Sequence, residues 1–344
     1  MLLATVMVAR AYDLIVATPE GQMLYYTITS ETTVKVVSGP TKPSGRLTIP
    51  SEVQGYSVTE IASQAFSNDY GLTSVSIPGS VTTIGQRAFA NCNALTSAFL
   101  GEGVQSIGLM AFSSCTALDT ISLPTTLTQI AMGAFGNTAY LNDLGHWQDS
   151  VLYVGRYLVS GMMRHGGEYV VADSTLGIAN DALATRNINR FVLPANLHFI
   201  GATAFRGCTQ LDTVRLLGDT PPVLGDDAFQ GTPATLTVAV PCGNAEAYSA
   251  DQDWSQLTIV EDTCSEPHVG IAASQHSGVT AYVAAGVLHI GGAEGDPLTV
   301  CDITGRRLYS TRSAGNSISV ALPSTGVYIV SVGTSMPLKV CYSR

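Results

Sequence analysis

The sequence predicts a repeat solenoid, β-rich with short helical turns and a period of 23 residues, followed by a small C-terminal antiparallel β-sandwich. Three observations carry this. The dipeptide Ala-Phe recurs at Ala65-Phe66, Ala88-Phe89, Ala111-Phe112 and Ala134-Phe135, each 23 residues after the last. Apolar residues hold phase with it: Ile61, Ile84, Ile107 and Ile130 stand before each Phe, and Val58, Val81, Val104 and Leu127 stand further upstream at one fixed spacing. Charge is also scarce. Only 12% of the 344 residues are charged, while 46% are hydrophobic and 34 are Gly. Ordinary soluble domains carry roughly 25% charge.

Composition also excludes several classes. So apolar a chain is not a disordered one, and no segment approaches the ~18 uninterrupted apolar residues of a membrane helix. A net charge of −10 lacks the basic face that nucleic-acid phosphates require.

Taken in order, residues 1–11 read as a secretory signal peptide: an apolar run, Met1 to Val8, ends at the A-x-A-like site Ala9-Arg10-Ala11. The run is short and has no basic n-region, as expected if the start lies too far downstream; a buried first strand is the alternative. Residues 12–46 are expected to form an N-terminal β cap. In the first repeat block, residues 47–139, Leu72, Leu95 and Leu118 open successive units. Alternating runs such as Val75-Ser76-Ile77 and Ile121-Ser122-Leu123 read as strands, and Pro78 and Pro124 mark corners. A second extended piece then leads to a helical turn around Ala-Phe. One coil cannot bury its own apolar face, so neighbours must stack, and small Ala beside large Phe lets them interdigitate.

Residues 140–168 read as an irregular insert coil carrying His146, Trp147, His165 and the run Val151-Leu152-Tyr153-Val154. The second block, residues 169–236, repeats the pattern at Ala182-Leu183 and Ala204-Phe205, and its last unit runs from Leu211 through a Pro221-Pro222 corner to Phe229. Residues 237–264 form a terminal capping unit, and 265–282 are a non-periodic linker. Residues 283–344 are the sandwich. Its expected strands are the alternating runs 287–290, 298–301, 317–320 and 327–330, separated by turns at Gly291-Gly292, Thr304-Gly305 and Thr325-Gly326.

The unit Leu-x-x-(Val/Ile)-x-(Ile/Leu)-Pro-x-x-(Val/Leu)-x-x-Ile-x-x-x-Ala-Phe-x-x-Cys resembles the BspA-like leucine-rich repeat family of bacterial cell-surface proteins. Val151 to Val159 resembles the irregular coil that family carries between repeat blocks. Pro221-Pro222 through Val240-Pro241, Gly243, Tyr248 and Trp254 resembles its terminal unit. The likeness spans about residues 20–262 and departs at Leu183, where Phe is expected, and at Asp69 and Thr138, where Cys is. It implies adhesion. In the last segment, Asp302-Ile303-Thr304-Gly305-Arg306, then Leu322-Pro323, then Gly326 to Val330, then Lys339 and Arg344 resemble the C-terminal sorting domain of the Bacteroidetes type IX secretion system. Cys301 and Cys341 stand outside that pattern, and a plain β-sandwich is the alternative.

Of the seven Cys, Cys92, Cys115 and Cys208 each follow a repeat Phe by three residues and so share one packing slot. Paired spacings that would hold zinc are missing from the sequence. Cys242 with Cys264, and Cys301 with Cys341, are left open to bridging after export. The sequence offers no nucleophile-base motif: the six His are scattered, and Gly101-Glu102-Gly103 is a repeat corner with no Lys-Ser/Thr after it. We therefore expect no catalytic residue, no cofactor and no metal.

What the solenoid offers is a face. With Leu72, Val75 and Ile77 inward, strand alternation sends Ser74 and Ser76 outward. The matching positions are Arg46, Thr48, Ser97, Phe99, Thr120, Ser122, Glu168, Val170, Arg190, Val192, Thr213 and Arg215. Ser74, Ser76, Ser97, Phe99, Thr120, Ser122, Arg190 and Arg215 are the candidate partner-binding residues, with Phe99, Arg190 and Arg215 expected to contribute together. The expected protein is non-enzymatic, monomeric, and secreted or displayed on the outer cell surface. It would bind an extracellular protein or glycan of host or neighbouring bacteria. The alternative function is a surface glycan-binding module of a carbohydrate-uptake system, for which Tyr140, Trp147, Tyr153 and Tyr157 of the insert would supply the aromatic platform.

Overall fold

The computed structural model describes residues 12–162, 166–262, 280–284, 287–291, 297–302, 306–312, 317–322, 326–332 and 338–342. Residues 1–11, His165, Cys264, most of the expected linker and the three expected turns' residues 292, 304, 305 and 325 lie outside them. The chain divides into two compact units, Met1–Val260 and Glu261–Arg344.

In the first unit, each repeat block is two columns of parallel strands. One column of the first block stacks Gly45–Thr48, Leu72–Ile77, Ser97–Leu100 and Thr120–Ser122. The other stacks Tyr56–Ile61, Thr83–Ile84, Ser106–Ile107 and Gln129–Ile130. Its N-terminal end is covered by the antiparallel strands Leu14–Ala17, Met23–Ile28 and Thr33–Val37, the last of which pairs in parallel with the first coil. The second block repeats this with Glu168–Val170, Arg190–Leu193, Thr213–Leu216 and Thr237–Val240 in one column. Gly177–Ile178, Phe199–Ile200 and Val223–Leu224 form the other. The insert supplies antiparallel Trp147–Gln148, Val151–Val154 and Tyr157–Gly161, and the last of these pairs in parallel with Gly177–Ile178.

The repeated Phe residues stack through the core. Ring centroids of Phe66, Phe89 and Phe112 follow at 5.0 Å, and Phe135 at 5.8 Å, with planes within 14° of parallel. Where Leu183 replaces Phe the stack lapses, then resumes between Phe205 and Phe229 at 5.1 Å. Cys92, Cys115 and Cys208 are buried free thiols, each donating to a carbonyl of the coil before: Phe66, Phe89 and Leu183 respectively. Gly85 and Gly225 lie so close to the preceding coil that a Cβ would come within 2.5 and 2.3 Å of a backbone nitrogen, so larger residues cannot enter.

The turn expected to be helical at Ala-Phe is built differently. Its hydrogen bonds alternate: Ala65, Ser67 and Asp69 N–H donate three residues back, whereas Gln64, Phe66 and Asn68 N–H donate to Gln86, Ala88 and Ala90 of the next coil. Two residues per turn must take positive φ to permit this. One slot holds Gln64, Arg87, Met110, Gly133, Asp181, Thr203 and Asp227. The other holds Asn68, Asn91, Ser114, Asn137, Thr185, Gly207 and Gly231. Asn and Gly tolerate this region; β-branched Thr does not. Replacing exposed Thr185 (φ 61°) by Asn, the residue of three sister turns, should raise stability by about 1 kcal/mol. A lower denaturation midpoint for T185N would count against this reading of the turn.

Four Cys slots hold other residues: Asp69, Thr138, Arg186 and Thr232. Thr138 donates to Phe135 O at 2.9 Å and accepts from Leu141 N–H, starting the helical turn Ala139–Asn142. Asp69 is 1% exposed, accepts from Gly71 N–H through Oδ1, and leaves Oδ2 with no partner. Burial holds its carboxyl above the usual range, with Lys42 opposing. A raised folded-state pKa means stability is greatest in acid and declines as pH rises through that pKa. Asp69→Asn keeps the Gly71 contact without the charge. It should therefore gain on the order of 1 kcal/mol at neutral pH and nothing below the carboxylate range. Equal effects in urea titrations at both pH values would contradict this.

The second unit has two antiparallel sheets. Thr280–Ala284, Val287–Gly291 and Ser317–Ala321 form one. Arg307–Arg312, Pro297–Asp302, Gly326–Val332 and Leu338–Tyr342 form the other. Leu288, Ile290, Leu298, Val300, Val320, Tyr328 and Val330 make its core. The four strands expected from alternation are present, and three more join them. The first of those begins at Thr280, inside the segment read as linker. Cys301 is a free thiol, which rules out its bridging to Cys341, whereas Cys242 is disulfide-bonded.

Candidate functional site

Register fixes which side chains share a rung. In the first block Arg46, Ser74, Ser97 and Thr120 are aligned on successive strands, and so are Thr48, Ser76, Phe99 and Ser122. Between them run Leu47, Val75, Ala98 and Ile121, the first three fully buried. Strand alternation thus seats one row in the core and presents the two flanking rows on the opposite face. At ~4.8 Å per strand, four residues make a rung of about 14 Å.

Phe99 stands in the middle of this face. Its cross-strand neighbours are Ser76 and Ser122, too short to cover a ring, and 46% of it stays exposed. Thr120 and Ser122 are exposed, and Ser74, Ser76 and Ser97 half-buried. An aromatic group ringed by hydroxyls, with no formal charge nearer than Arg46 in these two rungs, can bury apolar area centrally and hydrogen-bond at its rim.

The second block differs. Glu168, Arg190, Thr213 and Thr237 form one rung and Val170, Val192, Arg215 and Ala239 the other. Arg190 Nε lies 3.5 Å from Asp212 Oδ1, both groups well exposed. Val192, expected to face outward, is only 8% exposed, because it lies between Val170 and the long Arg215 chain on adjacent strands. Phe99 and the pair Arg190/Arg215 sit on different sheets, so the structure does not gather these three onto one sheet. Sequence reading missed Asp212, whose proximity to Arg190 needs the register, and Tyr70, a 63% exposed corner aromatic without an aromatic counterpart in other coils.

The insert aromatics are committed elsewhere. Tyr157 is buried and donates to Pro124 O at 2.8 Å, and burial pushes its hydroxyl up to about 12. Tyr140 donates to Tyr153 O, Tyr153 Oη accepts from Ala172 N–H, and Trp147 Nε1–H donates to Leu141 O. His146 stacks on Tyr140 at 4.0 Å. These contacts bind the insert to the blocks on either side; they do not leave a flat aromatic platform.

Fold and face together define a leucine-rich repeat solenoid. More specifically, the chain belongs to the BspA type leucine rich repeat family, whose model matches residues 46–162 and 176–249 in six copies, more than half of the sequence. Among solved structures it is similar to a leucine-rich repeat protein from Bacteroides ovatus, at 18% identity over 74% of this chain and 80% of that one, with a TM-score of 0.33. It is also similar to one from Bacteroides capillosus, at 28% identity over 38% and 96%, TM-score 0.32. A leucine rich cell surface protein from Faecalibacterium prausnitzii matches at 18% identity over 73% and 95%, TM-score 0.25. No curated protein sequence is a significant match. None of the described helices is long and apolar enough to cross a membrane.

Proposed function

We propose that the protein is an exported, cell-surface adhesin that binds an extracellular protein of a host or neighbouring cell through the strand face of its first repeat block, without catalysing a reaction. The observation that carries this is exposed Phe99 set among Ser74, Ser76, Ser97, Thr120 and Ser122 on one parallel sheet. Family membership supports a surface address and a binding role. Arg190 and Arg215 extend the contact as a separate, charged patch on the second block. Residues 283–344 act as a sorting-type module directing export, and the protein works as a monomer. An extracellular-matrix binding panel run beside a glycan array tests the reading. Saturable binding to a matrix protein, reduced at least tenfold by Phe99→Ala, is expected. Glycan binding that survives Phe99→Ala would replace this reading with carbohydrate uptake.

A further inference from the structure

The ladder of turn hydrogen bonds breaks once inside the array. In the regular coils three alternate N–H groups donate to main-chain carbonyls of the next coil: Arg87, Phe89 and Asn91 to Leu109, Ala111 and Ser113, for example. The central acceptor is an alanine at Ala88, Ala111, Ala134, Ala204 and Ala228. In the fourth coil the equivalent donors are Gly133, Phe135 and Asn137, and none has an acceptor among the described residues. Gly133 and Asn137 keep the positive φ of their slots, at 63° and 57°, so the turn is intact and its donors point as in the other coils. Where the next coil should lie, the insert strand Tyr157–Gly161 has wedged in. Gly161 N–H takes Ala182 O, and Asn180 N–H pins the far wall to Ile130 O. Between the walls lies a cleft of about 190 Å³, lined by 130–136 on one side and by Leu141, Val159, Ser160 and 179–182 on the other. Met132, on the lining, is an exposed apolar side chain. The same three donors are open after Phe229, but Trp254 packs over that end of the array.

We propose that this break is a second binding site, which takes a turn-forming polypeptide segment of a partner with a small central residue. Its alternate carbonyls would accept from Gly133, Phe135 and Asn137, as a missing coil would. Three donors alternating along one turn match the alternate carbonyls that a like turn presents in the regular coils, as Leu109, Ala111 and Ser113 do for Arg87, Phe89 and Asn91. The recurrent Ala in the acceptor coils sets the small centre, and flexible Met132 on the lining adapts to varied flanking side chains. The site does not rest on the Phe99 face. Phage-displayed random heptapeptides selected on the full chain test it, with amide exchange of the complex as readout. Selected peptides should have Ala, Gly or Ser at the centre and slow exchange at Gly133, Phe135 and Asn137 at least tenfold. Binding should persist in Phe99→Ala and fail in two variants of unchanged melting temperature, Ser160→Trp, which fills the cleft, and Gly133→Asn, which narrows it. No selection above background, protection elsewhere, or full protection of the three amides in the free protein, by its own chain or a second copy, would overturn the proposal.

Discussion

Replacing Phe89 with alanine should lower the unfolding free energy by about 3–5 kcal/mol. The side chain is fully buried and lies between two near-parallel rings, each 5.0 Å away. Truncation removes its own burial and the partner surface of both neighbours, and an interior coil has no freedom to collapse into the gap because the coils on either side are held by strand and turn ladders. In a quasi-one-dimensional array two interfaces weaken at once. Phe66, with one ring neighbour in this stack, should cost less when truncated. Guanidinium titrations followed by circular dichroism decide the matter. A Phe89→Ala variant that melts with the parent would mean the stacked core is misassigned.

Trp254→Ala should be as damaging, about 3–5 kcal/mol, but local. Trp254 is fully buried, 6.2 Å from the Phe229 ring and 5.6 Å from Tyr248, and its indole N–H donates to Pro222 O at 2.8 Å. Tyr248 adds hydroxyl contacts to Gly218 and Thr220 carbonyls. These two side chains close the apolar end of the array, which otherwise stops at Phe229. Nearest-neighbour coupling predicts fraying inward from that end. Amide exchange should accelerate over residues 199–240 and leave 72–122 nearly unchanged. Uniform acceleration along the chain would show instead that the unit unfolds as a single block.

Much of this was legible in the sequence because one structural unit is written many times. The 23-residue period matched outward Ser74 with Ser97 and Ser76 with Phe99, and the observed register agrees. The Cys slot was legible for the same reason. What escaped depends on backbone geometry that residue type does not mark. The positive-φ slot of Gln64, Arg87, Met110 and Thr203 has no common side chain, so alternating turns were read as helical. The cleft arises from a strand that interrupts the array, where periodicity ends. Val192 escaped because its burial comes from the neighbouring strands.

Low charge has a physical reason in the stacking. Equivalent positions lie one strand spacing apart, so a charge written into the consensus would face its copies directly, which is destabilising. Hydroxyls and amides instead bond from coil to coil. Thr82 donates to Thr59 O, Thr96 to Thr73 O, Thr128 to Gln105 O, and Asn91 to Asn68 Oδ1. Their residual capacity faces solvent, and Phe99 stands out against it.

The most direct test of the account is the affinity of the full chain for a matrix protein found on the panel, compared with Phe99→Ala at equal melting temperature. A loss of at least tenfold on truncating this one exposed ring would place the partner on the first-block face. An unchanged dissociation constant would contradict that placement and move the search to the second block or the cleft.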